Sequence, residues 1–154
     1  MKSPRPYVLV NMAISADGKT ASASRGVCHF SSRRDETLLY ELRATVDAVL
    51  NGARTVDTSP VKMDPGPSRF RRLRIQRGLA EFNLRIIASA AGSIRLDAEV
   101  FRHSFSKIIV LTTRRCPKTK LEKLRERGVC LITSPDGELN FHTILPTLRR
   151  EHGI

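Results

Sequence analysis

The chain has no tryptophan, and aromatic residues make up only 5% of it. Proteins that hold single-stranded nucleic acid stack bases on aromatic faces. In the basic cluster Arg69, Arg71, Arg72, Arg74 and Arg77 only Phe70 interleaves, so such a platform is poorly supported. Cysteine is scarce as well. Cys28, Cys116 and Cys130 are an odd number with no C-x-x-C pair, which reads as reduced thiols. His29, His103, His142 and His152 are scattered, with no H-E-x-x-H spacing, so no metal site is expected. No apolar run reaches the roughly 18 residues of a membrane-spanning helix. The basic start, Met1 to Pro6, is not followed by a signal-peptide core, because Val8 to Val10 is too short. A cytoplasmic location and no membrane partner are the expectation. Acids are also few, with 15 Asp and Glu against 27 Lys and Arg and a net charge of +12. That excess suits a solvated surface or a phosphate-bearing ligand. Nucleic acid is the weaker reading, since no helix-turn-helix, zinc-finger or RNA-recognition signature accompanies it.

What is present is enough for one globular domain. The 154 residues are 40% hydrophobic and 27% charged, which supports a real core. Tyr7 to Met12 reads as a short buried strand led by Pro6. Ser32-Arg33-Arg34-Asp35 fits a capping box, and Leu38, Leu39, Leu42 and Val46 recur at helical spacing, which predicts a helix over 33–45. Asp47 to Leu50 is a second apolar strand. Thr58 to Asn83, rich in Pro and Gly, reads as a long loop with room for a short helix near 71–79. Further strands are expected at Leu84 to Ala88, Lys107 to Thr112 and Val129 to Thr133. Helices are expected after Pro117 and from Phe141 to about Glu151, with Pro146 a candidate kink. Apolar strands alternating with helices argue an α/β fold whose mostly parallel sheet carries helices on both faces.

Two segments point at a ligand. Asn11-Met12-Ala13-Ile14-Ser15-Ala16-Asp17-Gly18-Lys19 follows the first strand, and Gly52-Ala53-Arg54-Thr55-Val56 follows the second. Small and hydroxyl residues at strand ends let a nucleotide approach the backbone. The two strand ends are expected side by side, as one wall of a cofactor cleft.

These segments, with Arg5-Pro6-Tyr7-Val8 and Leu42-Arg43-Ala44-Thr45-Val46-Asp47-Ala48-Val49, resemble the pyrimidine reductase of riboflavin biosynthesis, the RibD C-terminal family. The resemblance implies a dihydrofolate-reductase-like fold and NADPH-dependent reduction of a ribosylaminopyrimidine 5′-phosphate to its ribityl form. Asn11 is similar to the residue of stand-alone family members that take the diaminopyrimidinone. By the same resemblance Asn11, Asp17 and Lys19 carry the catalytic role, and Ala13, Gly52, Thr55 and Ser89 touch the cofactor. Arg43 binds substrate, and Lys62 and Arg69 are candidates for its phosphate. Arg54 stands where the family has a second glycine, and Asp57-Thr58-Ser59-Pro60 lacks the usual paired acids. The family's Glu-Gly-Gly strand has no counterpart before Ile154, so the expectation is a domain incomplete at its C-terminus that self-associates, as a homodimer, and is weak alone. Two other readings stay open. One is a pterin reductase using Asp35 or Glu36 as its acid. The other is a non-catalytic nucleotide- or nucleic-acid-binding fragment.

Overall fold

Four apolar segments build the sheet. They are β1 (Ala48–Gly52), β2 (Leu84–Ala88), β3 (Ile108–Thr113) and β4 (Cys130–Ser134), parallel throughout and in the spatial order β1-β2-β3-β4. The computed structural model describes residues 5–20 and 32–154. α1 (Arg33–Arg43) precedes β1; α2 (Ala53–Thr58) and α3 (Ser68–Gln76) connect β1 to β2, a 3₁₀ turn (Glu99–Arg102) lies between β2 and β3, α4 (Lys118–Glu126) connects β3 to β4, and α5 (Phe141–His152) follows β4.

Every residue of β3 is buried, because a central parallel strand is covered on both faces and must be apolar on both. Alternate residues then divide between two cores. Ile87, Ile108 and Val110 cluster with Ala53 and Val56 of α2, Val100 of the 3₁₀ turn and Leu124 of α4. Ile86, Ile109 and Leu111 cluster with Ile144 and Leu148 of α5. Each such side chain contributes about 1.5–3 kcal/mol on burial. Helices therefore cover both faces, as expected.

The helix ends follow their sequence signals. Ser32 Oγ accepts the Asp35 N–H at 3.1 Å, and Asn140 Oδ1 accepts the His142 N–H at 3.0 Å. The C-terminal end of α1 is held from a distance. The carbonyls of Arg43 and Val46 each accept from both Arg74 Nη1 and Asn83 Nδ2. Arg74 and Asn83 are fully buried to do this, which ties the long 58–83 connection back onto the start of the sheet. Within that connection α3 begins at Ser68, directly after Pro67, earlier than expected.

One expectation fails. Tyr7 to Met12 is not a strand: it is irregular and exposed, with Tyr7 at 90% and Val10 at 76%. Its composition is that of a strand paired on both sides, yet no described strand lies beside it. β1 is an edge strand, unpaired on its outer side among the described residues.

Candidate functional site

In open parallel sheets ligands bind outside the carboxyl ends of the strands. The register puts Gly52 of β1 beside Ala88 of β2, and Ala88 beside Leu111 of β3. Gly52, Thr55 in α2, and Ser89 immediately after β2 therefore lie along one edge. Gly52 has φ −73° and ψ 150°, and a Cβ added there would meet nothing within 4 Å. Neither backbone conformation nor packing asks for glycine. What its missing side chain provides is open backbone facing the edge. Gly92 differs: its φ is +66°, and a Cβ would sit 2.1 Å from Cys116 Sγ, so the Ser89–Gly92 turn cannot be built otherwise.

That turn is firmly held. Ala90 O accepts the Thr113 N–H at 3.1 Å and the hydroxyls of Thr112 and Thr113 at 3.2 and 2.8 Å. Ser89 N–H donates to Leu111 O at 2.9 Å, and the Ser89 and Ser93 hydroxyls are 3.5 Å apart. Arg54, Arg114 and Arg115 are exposed at the ends of β1 and β3. Sequence reasoning missed Arg114 and Arg115; the signal was a Thr-Thr-Arg-Arg run closing a buried strand. An edge with open backbone, the exposed Thr55 hydroxyl and three exposed guanidinium groups fits a nucleotide carrying phosphates, while the hydroxyls of Ser89, Thr112 and Thr113 are buried.

The other predicted residues lie elsewhere. Asn11 and Ala13 are exposed in the irregular N-terminal segment, so the expected wall of two adjacent strand ends does not form. Asp17 and Lys19 belong to a turn in which Gly18 N–H donates to Ser15 O at 2.8 Å. Bonds from Lys19 Nζ and then Ser15 Oγ hold the Asp17 carboxyl below its ordinary value of 3.8. It is ionised at neutral pH and accepts hydrogen bonds there.

The backbone of Arg43 is at the opposite edge, where the strands start, and its Nη1 donates to Asp64 O at 2.9 Å. Burial lowers its pKa and Asp64 partly offsets this. Lys62 is exposed on the side of Glu99, and Arg69 is exposed on α3 with its guanidinium 4.6 Å from the Phe70 ring centre. Asp35 and Glu36 are first-turn residues of α1. Glu36 accepts from Tyr40 Oη at 3.2 Å and neither is buried, so no buried acid for a pterin is found there.

Comparison with known proteins gives the same family. The model of the RibD C-terminal domain matches residues 6–154. A 2,5-diamino-6-ribosylamino-4(3H)-pyrimidinone 5′-phosphate reductase of Aquifex aeolicus is 31% identical over 95% of this chain, and the match covers 62% of that protein. The riboflavin biosynthesis protein RibD of Chlamydia muridarum is 29% identical over 93% of this chain and 37% of its own length. Among solved structures, a pyrimidine reductase-like protein of Corynebacterium diphtheriae superposes with a TM-score of 0.76 at 20% identity, over 90% of this chain and 59% of that one. RibD of Acinetobacter baumannii superposes at 0.74 and 21% identity, over 97% and 38%. The fold is the dihydrofolate-reductase-like α/β fold of these neighbours, and none of the helices is long and apolar enough to cross a membrane among the described residues. With its strand order, its open Gly52 edge and a family match over nearly its whole length, the chain belongs to the RibD C-terminal domain family.

Proposed function

We propose that this chain supplies the cofactor edge of an NADPH-dependent reductase that converts a ribosylaminopyrimidine 5′-phosphate to its ribitylamino form. The chain spans 62% of the length of the Aquifex reductase it matches, so the activity of the whole is inferred. The observation that carries the reading is the open backbone at Gly52 beside Ser89, flanked by arginines.

Bound NADPH supplies the hydride. Catalysis by the chain is then mainly positioning. Gly52 would admit the cofactor to the backbone, the exposed Thr55 hydroxyl would orient it, Arg54, Arg114 and Arg115 would neutralise its phosphates, and the buried Ser89 would shape the wall behind them. Ala13 would complete the nicotinamide wall once the N-terminal segment docks. Asn11, Asp17 and Lys19 would sit at the reacting ribose, with Asp17 accepting hydrogen bonds as a carboxylate and Lys19 able to donate one. For the substrate phosphate, Lys62 and Arg69 have exposed heads, whereas Arg43 is engaged by Asp64. We further propose a homodimer in the cytoplasm.

Calorimetric titration tests the cofactor. A charge-assisted contact to the 2′-phosphate of about 1.5–3 kcal/mol makes NADPH roughly 10- to 100-fold tighter than NADH. Equal affinities would remove the NADPH assignment, and no binding of either would remove the cofactor site.

A further inference from the structure

α2 carries Thr55, yet it has only six residues and its N-terminus has no side-chain cap. A helix that short has almost no stability of its own, so its placement is set by what it touches. Ala53 and Val56 anchor one side in the core. That fixes depth, but apolar contact is non-directional and leaves rotation and slide poorly defined. Directionality comes from Asp57. Its Oδ1 accepts the Arg95 N–H at 2.8 Å, joining α2 to the loop that starts at Ser89. The Arg95 guanidinium bonds both oxygens of Asp97 at 3.0 and 2.6 Å and meets Asp57 only through a weaker charge attraction, not a hydrogen bond. The bond is backbone to carboxylate, across 38 residues of sequence.

We propose that Asp57 is a positioning residue that sets the separation between the Thr55 and Ser89 walls, and that its role is geometric rather than electrostatic. This rests on the reading of that edge as the dinucleotide site. A dinucleotide must touch both walls at once, so an error in their separation costs affinity only for a ligand that spans them. The carboxylate charge, in contrast, opposes anion binding at an otherwise basic rim. A geometric role and a charge role therefore predict opposite outcomes.

Titration of the full chain, followed by the fluorescence of bound NADPH and by calorimetry for adenosine 2′,5′-bisphosphate, separates them. Asp57→Ala weakens NADPH about tenfold, the size of one lost hydrogen bond. It leaves the bisphosphate, which lacks the nicotinamide half and is too short to depend on both walls at once, within about twofold. Asp57→Asn keeps an acceptor at Oδ1 and binds both ligands as the parent does. The inference is overturned if Asp57→Ala binds NADPH as the parent does, if it loses both ligands equally, or if Asp57→Asn matches Asp57→Ala. Tighter binding by both variants would show a charge effect instead and also overturn it. A parent chain that binds neither ligand would fail the cofactor reading itself, and this inference with it.

Discussion

At the residue scale, Arg85 shows how the loops on the strand-start side are held. It is 1% exposed and, among the described residues, forms no salt bridge, though the Asp64 charge partly offsets its burial. Nη1 donates to Val100 O at 2.7 Å, Nη2 to His103 O at 2.8 Å and also to Ser106 O, and Nε to Ser106 Oγ at 3.1 Å. Its guanidinium also lies 4.4 Å from the Phe105 ring centre. Burial pulls its pKa down to about 10, still well above neutral, so the charged form is retained. Arg85→Met would fill the space and strand these carbonyls, at a cost of about 3–5 kcal/mol. Urea denaturation is the measurement, and a change below about 1 kcal/mol would show that the carbonyls find other donors. Gly52, Thr55 and Ser89 were singled out through the family resemblance, and the strand register places all three at the C-terminal edge of the sheet. Asp57 and Arg95 were not, since nothing local marks a bond between residues so distant in sequence. Lys62 and Arg69 were singled out as basic residues near where the family's phosphate arginine would stand, and neither position nor charge says where a side chain is directed.

At the element scale, the four strands were readable because each is a short apolar run, and α1, α4 and α5 because their apolar residues repeat at helical spacing. α2 and the 3₁₀ turn were missed, since six and four residues hold less than two turns of any period. α3 was displaced because arginines fill most of its face and hide its periodicity. Tyr7 to Met12 failed for another reason. A strand is a pairing, and composition reports only the willingness to pair. α5 continues through Pro146 to His152, although proline removes one donor there. It holds because Ile144 and Leu148 are buried against Ile86, Ile109 and Leu111. Leu148→Ala would lose that contact and leave a cavity, costing about 2–5 kcal/mol by thermal or urea unfolding. A loss below about 1 kcal/mol would mean that α5 is not what covers this face.

At the scale of the whole molecule, two exposed features complement each other. Among the described residues β1 presents an unpaired edge, with Leu50 at 42% exposure on that strand. The segment 7–14 presents Tyr7, Val8, Val10, Met12 and Ile14, each more than half exposed. Unpaired strand edges and clustered apolar side chains both recruit other chains. The chain is therefore expected to self-associate in sedimentation experiments, with mass rising with concentration. Leu50→Lys, which places a charge on the edge, should reduce it. A monomer at all concentrations would show that the segment and the edge satisfy one another within one copy. The net charge of +12 opposes association at low salt, so moderate ionic strength should favour it.

The central claim is that Gly52 is glycine for the sake of a ligand and not of the fold. Gly52→Val tests it most directly. The backbone there is extended and the added side chain enters open space. The account predicts a melting temperature unchanged within about 2 °C and NADPH affinity reduced at least about a hundredfold, because the side chain occupies the cofactor's approach. A variant that binds NADPH as tightly as the parent chain would contradict it.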